Sequence, residues 1–451
     1  MNERKHVFYL GIGGIGMSAL ARYHRACGCN VAGYDKTPSS ITESLQLEGI
    51  EVVFDDNVTA LPNGFDQENT LIIFTPAVPQ TSKLFQHFSS PAFRMIKRAQ
   101  ALGEITQNST LLAIGGTHGK TTTSCLVSQL LDAQGISFTA FLGGIASNFE
   151  TNYIAGNPNL VVVEADEFDR SFLHLHPTHA VITSTDADHL DIYGDKESVV
   201  ASFQEFASLV PQQGKVWLFD DAQRISGENI LTYGNSGDAK AKNIRIENGK
   251  FTFDFEMGEI SWKNLSLGIP GFHNVWNATA ALAILLGANL PMKEEEMRKG
   301  LAQFKGVARR FDQRFANEHV VYIDDYAHHP TEIDSLISSV RALHPGKKIT
   351  GIFQPHLFSR TRDFMSGFAE SLAHLDRLIL MEIYPARELP IAGITSEKLL
   401  NMVHLDQKSL ATKDEVLGML NDTDEVILTI GAGDIDRLVP ALEQKLRGGW
   451  L

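Results

Sequence analysis

A strand, a glycine-rich turn and a helix follow one another between Thr110 and Thr123. Residues 111–114 form an apolar run that predicts a buried strand, and residues after 122 are compatible with a helix. The turn consists of Gly115, Gly116, Thr117, His118, Gly119, Lys120, Thr121 and Thr122. Such a turn directs backbone N–H groups at phosphate, and the helix N-terminus adds partial positive charge. The pattern predicts an ATP site in which Lys120 reaches the terminal phosphates and the Thr121 hydroxyl holds Mg²⁺.

The turn departs from the usual phosphate-loop pattern at one position. That pattern has a glycine at the place of Ile114, whereas here the glycine comes one residue later, at Gly115. A glycine-rich connection that ends in a capping threonine would also fit these residues taken alone. The strand before the turn and the helical run after it favour phosphate binding.

A second glycine-rich turn follows the first predicted strand of the chain, at residues 6–10. Its glycines are Gly11, Gly13, Gly14 and Gly16. The next predicted strand ends on Asp35, at the separation that a dinucleotide-binding fingerprint requires. A diphosphate can lie against this turn while Asp35 accepts hydrogen bonds from a sugar or a base. The motif does not specify the diphosphate compound, and alone it would suggest a nicotinamide-dependent oxidoreductase.

Polar residues also follow two apolar runs downstream of the phosphate turn. Residues 160–163 and 180–183 predict strands that are buried on both faces. Because the carboxyl ends of parallel strands lie along one edge of a sheet, we expect Glu164 and His189 to lie near Lys120. Such a cluster would form a metal and phosphate pocket. A solvated acidic turn and a locally bonded histidine remain alternatives for each residue alone.

The start of an Ala- and Leu-rich helix carries further candidates. His273, Asn274 and Asn277 lie there and are first of all helix-capping residues, although they can also contact an adenine edge. The adjacent pair Arg309 and Arg310 is either solvated or a phosphate clamp.

A third alternating region extends from about residue 314 to the end. Apolar runs at 320–323, 348–353, 378–381 and 426–430 each end in polar residues, which predicts another small parallel sheet. We therefore expect an α/β chain with domains at residues 1–108, 109–313 and 314–451.

Charge and hydropathy exclude several classes of partner. The 39 Lys and Arg residues against 54 Asp and Glu give a net charge of -15, which argues against general affinity for nucleic acid or anionic membranes. No window approaches an uninterrupted membrane span, and the first strand leaves no room for a signal peptide. We expect a cytoplasmic protein.

These blocks occur in the order and approximate spacing of the Mur ligases, and the chain resembles this family over essentially its whole length. The matching blocks are residues 11–17, 115–122, 164–172, 188–189, 271–277, 306–311, 324–330 and 354–362. The resemblance implies a Rossmann-like N-terminal domain for a UDP-sugar, a central P-loop ATPase domain with a parallel sheet, and a Rossmann-like C-terminal domain for an amino acid. The implied reaction joins L-alanine to the lactyl carboxylate of UDP-N-acetylmuramate through an acyl phosphate, with ATP and Mg²⁺, in peptidoglycan precursor synthesis.

The resemblance also implies roles for individual residues. The UDP-sugar would contact Gly11, Gly13, Gly14, Gly16 and Asp35. The nucleotide would contact Gly115, Gly116, Thr117, His118, Gly119, Lys120, Thr121, Thr122, His273, Asn274, Asn277, Arg310 and Asp325. The catalytic set would be Lys120, Glu164, His189 and Arg310, with Thr121 on a first Mg²⁺ and Glu164 and His189 on a second. Tyr326, His328 and Arg360 would form the alanine pocket, with Arg360 on the alanine carboxylate.

Two departures from the family pattern and several alternatives stay open. Ser184-Thr185-Asp186 stands where Asn-Ile-Glu is expected, and Leu357 stands where many members have arginine. Arg360 and Arg362 could also be solvated surface residues.

A sibling ligase that attaches a recycled murein peptide to the same UDP-sugar typically interrupts the first glycine turn, which is intact here. An oxidoreductase would leave Lys120 unused, and a non-catalytic nucleotide-binding regulator would show no turnover. The chain is expected as a monomer or homodimer.

Overall fold

The computed structural model describes residues 5–448 except 189, 221, 223, 224 and 387, and it does not describe the side chain of residue 191. The described residues form three sheets with helices packed against them. This arrangement confirms the predicted α/β class.

The first sheet is built from five short strands, all paired in parallel. These are β1 (His6–Leu10), β2 (Asn30–Tyr34), β3 (Glu51–Val53), β4 (Thr70–Phe74) and β5 (Arg94–Lys97). The helices between them are α1 (Ile15–Ala26), α2 (Ser40–Leu47), α3 (Lys83–Phe88) and α4 (Arg98–Thr106), with a 3₁₀ turn at Val58–Ala60. The strand order is β3-β2-β1-β4-β5. The order reverses between β1 and β4, so the glycine turn after β1 lies where ligands bind in doubly wound sheets.

The second sheet places the strand of the phosphate turn between two parallel neighbours. Its strands are β6 (Thr110–Gly115), β7 (Thr139–Ala146), β8 (Thr151–Ile154), β9 (Leu160–Glu164), β10 (His179–Ile182), β11 (Val216–Phe219), β12 (Ile230–Gly234), β13 (Ala239–Glu247), β14 (Lys250–Met257) and β15 (Ile260–Ser266). Its helices are α5 (Lys120–Ala133), α6 (Leu190–Tyr193), α7 (Lys196–Ser208), α8 (Phe272–Gly287) and α9 (Glu294–Gln303), with a 3₁₀ segment at Phe168–His174. The order is β15-β14-β13-β12-β11-β10-β6-β9-β7-β8, and β6 is parallel to both β9 and β10.

The third sheet has the order β16-β17-β21-β18-β19-β20. Its strands are β16 (Asp312–Ala316), β17 (Val321–Asp325), β18 (Ile349–Phe353), β19 (Arg377–Met381), β20 (Lys408–Ala411) and β21 (Val426–Ile430). Its helices are α10 (Pro330–Leu343), α11 (Phe358–Asp363), α12 (Met365–Leu372), α13 (Ser396–Met402), α14 (Lys413–Met419) and α15 (Val439–Arg447), with a 3₁₀ segment at Asp434–Leu438. The sheet is parallel except that β16 runs antiparallel to β17.

The chain packs as two compact units. The first contains the residues up to 240 together with 255–262 and 277–301, and the second contains 241–254, 263–276 and the residues from 302 onward. In the first unit, one apolar core extends from Val7 in β1 to Ile225 and includes Leu111 and Ala113 of β6. The glycine turn after β1 and the phosphate turn after β6 are therefore anchored in the same core.

Two strands extend further than the sequence predicted. Glu164 is the last residue of β9, where it pairs with Ile114, and Asp325 is the last residue of β17, where it pairs with Ile430. Strand pairing continues through the backbone of these two residues, because a polar side chain does not interrupt a parallel ladder. Both side chains are consequently held by the sheet rather than by the following loop.

The described part of the chain contains no helix that could cross a membrane. None of its helices combines the length and the apolar character that a bilayer crossing requires.

Gly103 in α4 and Gly418 in α14 give opposite expectations for the same substitution. In an open helix interior, Gly→Ala stabilises by up to about 1 kcal/mol, because alanine loses less backbone entropy on folding. A Cβ at Gly418 would meet no atom within 4 Å, whereas a Cβ at Gly103 would lie 2.3 Å from the carbonyl oxygen of His174. We therefore expect G418A to raise the unfolding temperature slightly and G103A to lower it by several degrees. Thermal unfolding followed by circular dichroism checks this, and a rise for both variants would contradict the close contact at His174.

Candidate active site

The phosphate turn is shaped by left-handed glycines and by the end of the neighbouring strand. Gly116 and Gly119 have φ of +126° and +81°. The Thr183 hydroxyl donates to the carbonyl oxygen of Gly115 at 3.2 Å, and Thr117 N–H donates to the carbonyl oxygen of Ser184 at 3.1 Å. A Cβ at Gly116 would lie 2.7 Å from the Thr183 backbone nitrogen, so only glycine fits there.

Lys120, the first residue of α5, folds back over this turn. Its Nζ donates to the carbonyl oxygens of Gly116 and Thr117 at 2.6 and 3.1 Å, and it pairs with the Glu167 carboxylate at 2.7 Å. Burial alone would lower the pKa of the Lys120 ammonium, but Glu167, with Glu164 and Asp166, raises that pKa above its usual value. The lysine therefore stays charged at neutral pH.

Thr121 and Glu164 bring two oxygen donors together beside the turn. Thr121 Oγ1 donates to Glu164 Oε1 at 3.1 Å, and Gly143 N–H donates to Glu164 Oε2 at 2.9 Å. Hydroxyl and carboxylate oxygens suit Mg²⁺, which takes few protein ligands because it keeps waters and binds phosphates. The donor set thus fits this ion. The other predicted metal ligand, His189, lies outside the described residues.

A larger metal cluster is not formed by the part of the chain that the structure describes. No group of three or more His, Cys, Asp or Glu side chains gathers there in a way that could hold an ion.

Asn277 contacts the same phosphate turn from α8. Its Oδ1 accepts a hydrogen bond from Thr123 Oγ1 at 3.2 Å, and a Cβ at Gly119 would lie 2.6 Å from that oxygen. Asn274 and His273 belong to the other compact unit. Asn274 Nδ2 donates to the carbonyl oxygen of Pro270 at 2.6 Å, so it contacts its own turn at the helix start.

The segment that departs from the family pattern also supports the phosphate turn. The carbonyl oxygens of Ser184 and Asp186 accept from the Thr117 backbone and hydroxyl at 3.1 and 2.8 Å. The Asp186 carboxylate lies 3.4 Å from His118 Nε2. Because most of this support comes from backbone oxygens, different side chains can occupy the segment without changing the turn.

The N-terminal glycine turn brings its predicted residues together. Gly13 N–H donates to Asp35 Oδ2 at 2.8 Å, and Gly11 N–H donates to the carbonyl oxygen of Tyr34 at 2.8 Å. Gly14 precedes α1 as its N-terminal cap, and a Cβ at Gly16 would lie 2.8 Å from Arg98 Nη1. Asp35 is therefore part of the turn itself as well as its predicted sugar contact.

Arg98 and Glu167 are two residues that the sequence did not single out. Arg98 pairs with Asp166 at 2.8 Å and so connects the start of α4 to the segment after β9, which also supplies Glu167 to Lys120. The only signal for Glu167 was its place in the acidic run after β9, and that run did not show which carboxylate faces the lysine.

The second unit holds Asp325 and Arg310. The Asp325 carboxylate accepts from the backbone N–H groups of Phe311 and Ala327 at 2.6 and 2.7 Å. Burial raises the pKa of Asp325 to about 7, against the opposing effects of Arg310 and these two N–H groups. The Arg310 guanidinium lies 5.2 Å from the ring centroid of Tyr326, and its Nη1 lies 3.6 Å from Glu332 Oε1.

The three residues of the predicted alanine pocket are linked through His356, which the sequence did not single out. The rings of Tyr326 and His328 meet edge to face with centroids 5.3 Å apart, and the His328 and His356 centroids are 6.5 Å apart. His356 Nδ1 lies 3.4 Å from Arg360 Nη1, and its ring stacks on Tyr384. These side chains form one continuous cluster.

The two arginines of α11 differ in environment. Arg360 is 7% exposed, whereas the Arg362 side chain is 51% exposed and pairs with Asp363 at 2.7 Å. Arg362 therefore fits the solvated alternative and Arg360 does not. Leu357, at the start of α11, has φ of +70°, a value that costs energy for a branched side chain.

His273 lies in a buried environment within the second unit. Its Nδ1 shares a hydrogen bond of 2.7 Å with Ser335 Oγ. Burial lowers the pKa of His273 to about 4, so the ring is neutral at pH 7. Because Nδ1 shares its hydrogen bond with Ser335, a contact with a base edge would use Nε2, as donor or acceptor according to the tautomer.

Comparison with protein-family models covers most of the chain. The Mur ligase family catalytic domain matches residues 6–110, the Mur ligase middle domain matches 114–285, and the Mur ligase glutamate ligase domain matches 309–433. The chain belongs to the Mur ligase family.

Full-length relatives of this Mur ligase share nearly half of its sequence. A UDP-N-acetylmuramate–L-alanine ligase of Flavobacterium johnsoniae is 46% identical over 99% of both chains. The enzyme of that name from Porphyromonas gingivalis is 47% identical over 98% of this chain and 99% of its own. These matches leave no large part of this Mur ligase without a counterpart.

Solved structures share the fold. The UDP-N-acetylmuramate-alanine ligase of Thermotoga maritima superposes with a TM-score of 0.84 at 26% identity, covering 98% of this chain and 99% of its own. A murein peptide ligase of Psychrobacter arcticus gives a TM-score of 0.70 at 22% identity over 97% of this chain and 99% of its own. The three-domain Mur ligase fold that the sequence predicted is thereby confirmed.

Asp325 gives the folding stability of this Mur ligase a defined pH dependence. The Asp325 carboxyl binds a proton more tightly in the folded state, with a pKa of about 7, than in the unfolded chain. Its contribution to the free energy of unfolding is therefore fully present below about pH 4 and is lost as the pH rises through about 7. We expect the unfolding temperature of D325N, measured relative to wild type, to increase between about pH 5 and pH 8. Differential scanning fluorimetry across this range checks the prediction.

The D325N variant also loses one acceptor for the Phe311 and Ala327 N–H groups, which lowers its stability at every pH. Only the pH dependence of the difference is therefore informative. A difference that stays constant across the range would contradict the raised pKa.

Proposed function

We propose that the protein is an ATP-dependent amide-forming ligase that joins L-alanine to the lactyl carboxylate of UDP-N-acetylmuramate, giving ADP and phosphate, in peptidoglycan precursor synthesis. The geometry supports phosphoryl transfer, because a charged lysine and the oxygen pair of Thr121 and Glu164 lie at one glycine-rich turn. The observation that carries the choice of substrates is the 46–47% identity, over nearly the full chain, to relatives named for this reaction.

The nucleotide phosphates lie against the turn of residues 115–122 in this proposal. Lys120 exchanges its carbonyl and Glu167 partners for the β- and γ-phosphate oxygens, while Asn277 supports the turn from α8. When bound, Mg²⁺ on Thr121, and on Glu164 with His189, supplies charge neutralisation for the phosphates and the substrate carboxylate. Arg310, Asp325, His273 and Asn274 remain predicted nucleotide contacts, each placed in the second unit.

The UDP-sugar lies against Gly11, Gly13, Gly14 and Gly16, with Asp35 at its sugar or base. The lactyl carboxylate oxygen attacks the γ-phosphorus, and ADP leaves. The alanine nitrogen then attacks the acyl carbon, a C–N bond forms, and the bond from carbon to the phosphate oxygen breaks. Because little covalent work falls to the protein, positioning and charge neutralisation provide most of the catalysis.

Alanine lies in the cluster of Tyr326, His328 and Arg360, with its carboxylate on the guanidinium. The buried position of Arg360 supports this role, since a shielded guanidinium binds a carboxylate more strongly than an exposed one. Leu357 offers no second cation, so the carboxylate depends mainly on Arg360.

The alternatives are less well supported. A murein-peptide recycling ligase shares the fold, but the full-length relatives at 46–47% identity carry the name of the alanine-adding enzyme. A nicotinamide-dependent oxidoreductase gives Lys120, Thr121 and Glu164 no task. We further propose a cytoplasmic location, no nucleic-acid or membrane partner, a monomer or homodimer, and domain boundaries at 1–108, 109–313 and 314–451.

Phosphate release with ATP, Mg²⁺ and UDP-N-acetylmuramate tests the proposed reaction. We expect L-alanine to stimulate release far more than glycine, L-serine or a murein tripeptide. K120A should abolish release while UDP-sugar binding, measured by calorimetry, stays near that of wild type. Stimulation by the tripeptide but not by L-alanine would favour the recycling ligase, and no stimulation by any acceptor would contradict both.

Arg360 and Arg362 form a matched pair on α11. We expect R360M to raise the KM for L-alanine by roughly 10- to 100-fold, because charge-assisted hydrogen bonds worth about 1.5–3 kcal/mol are lost. R362M removes the same charge from an exposed position and should leave the KM unchanged. Steady-state kinetics at saturating ATP and UDP-sugar measure both, and equal effects of the two variants would exclude Arg360 as the carboxylate partner.

A further inference from the structure

The tautomer of His328 is set by its own backbone surroundings. Its Nδ1 lies 2.9 Å from the carbonyl oxygen of Tyr326. Since a carbonyl oxygen only accepts hydrogen bonds, Nδ1 carries the proton of the neutral ring, and the lone pair is on Nε2. His328 is therefore arranged to accept a proton at Nε2.

Glu332, in the first turn of α10, contacts both the backbone and the ring of His328. Its Oε2 accepts from the His328 backbone N–H at 2.9 Å and lies 3.4 Å from His328 Nδ1. The side chains of Glu332 and His328 are only 12% and 16% exposed, so their interaction is partly shielded from water. A carboxylate beside Nδ1–H orients an imidazole and stabilises the imidazolium that forms when Nε2 takes a proton.

The His328 ring lies in the same cluster as Arg360, the proposed partner of the amino-acid carboxylate. The His328 ring neighbours His356, whose Nδ1 is 3.4 Å from Arg360 Nη1. In an α-amino acid, one carbon separates the carboxylate from the ammonium. An amino acid whose carboxylate binds Arg360 can therefore present its ammonium to a neighbouring side chain of this cluster.

Amide formation requires a base, because an ammonium has no lone pair with which to attack an acyl phosphate. We propose that His328 is that base and that Glu332 is the residue that positions it; this inference rests on the proposed function. The other charged or titratable groups around the pair are Arg310, 3.6 Å from Glu332, and the rings of Tyr326 and His356 beside His328. Asp325 and His273 are also close enough to Glu332 for its charge to raise their pKa.

The proton and electron balance is as follows. His328 Nε2 takes one proton from the alanine ammonium, and the freed nitrogen lone pair forms the C–N bond at the acyl carbon. The bond from that carbon to the phosphate oxygen breaks, and phosphate leaves with the electron pair. A second nitrogen proton leaves with the phosphate as the amide forms, and His328 returns its proton to solvent. No atom is oxidised or reduced.

Hydroxylamine allows acyl-phosphate formation to be measured separately from the attack by the alanine nitrogen. It is largely unprotonated at neutral pH, so it intercepts an acyl phosphate as a hydroxamate without a protein base. In H328N, we expect the kcat for alanine amide formation to fall on the order of 100-fold or more, which is within the range for loss of a general base. Hydroxamate formation from ATP and UDP-N-acetylmuramate should stay within about twofold of wild type.

The outcomes distinguish this inference from the proposed function. If wild-type protein forms neither hydroxamate nor alanine amide, the proposed function fails. If H328N loses both products equally, the residue has a structural role and the base assignment is overturned. If H328N keeps both products, the assignment is likewise overturned.

E332Q tests the positioning role. Glutamine keeps an oxygen for the His328 N–H group but removes the charge, so we expect the kcat for alanine to fall by about 10-fold with an unchanged KM. The acid limb of the kcat–pH profile should move to lower pH, because the imidazolium loses its stabilising carboxylate. D334N, which removes a carboxylate from an exposed position on the same helix, should leave the rate and the profile unchanged. An acid limb that stays in place in E332Q, or an equal effect of D334N, would overturn the role of Glu332.

Discussion

The buried ammonium of Lys120 is the interaction on which the first unit depends. A cation shielded from water costs several kcal/mol unless charges and dipoles replace its hydration. Here the Glu167 carboxylate and two carbonyl oxygens of the phosphate turn provide that replacement. The carbonyl oxygens are in place only because Gly116 adopts φ of +126° against Thr183, the residue that follows β10. The parallel neighbours of β6 thus determine the shape of the turn, and the turn determines where the cation lies.

The two units offer different kinds of groups for binding anions. In the first, backbone N–H groups, a helix N-terminus and a lysine gather at strand ends, an arrangement that suits phosphate groups. In the second, the buried guanidinium of Arg360 lies in one cluster with the rings of His356 and His328. Each set of groups fits one half of the proposed reaction, in which a carboxylate is first phosphorylated and then attacked by nitrogen.

The sequence was sufficient for predicting largely parallel sheets and for the meeting of Thr121 with Glu164. Alternating apolar runs and polar strand ends predict parallel sheets, and in such sheets the strand ends share one edge. It was insufficient for choosing among neighbouring carboxylates. Glu164, Asp166 and Glu167 are close in sequence, yet they contact Thr121, Arg98 and Lys120 respectively. The partner of Asp166 comes from α4, and the segment after β9 turns through Asp169 and Arg170, which have positive φ. No local pattern revealed either feature. His356 and Glu332 were missed for a related reason, since their roles arise from contacts across loops.

The central claim is that the phosphate turn delivers the γ-phosphoryl group to a substrate carboxylate. Transfer of an oxygen isotope tests it most directly: UDP-N-acetylmuramate labelled with ¹⁸O in the lactyl carboxylate is incubated with ATP, Mg²⁺ and L-alanine, and the inorganic phosphate is analysed by mass spectrometry. An acyl phosphate requires that one carboxylate oxygen leave with the phosphate, so we predict one ¹⁸O atom in each phosphate released. Phosphate free of ¹⁸O, formed together with the amide, would contradict the claim.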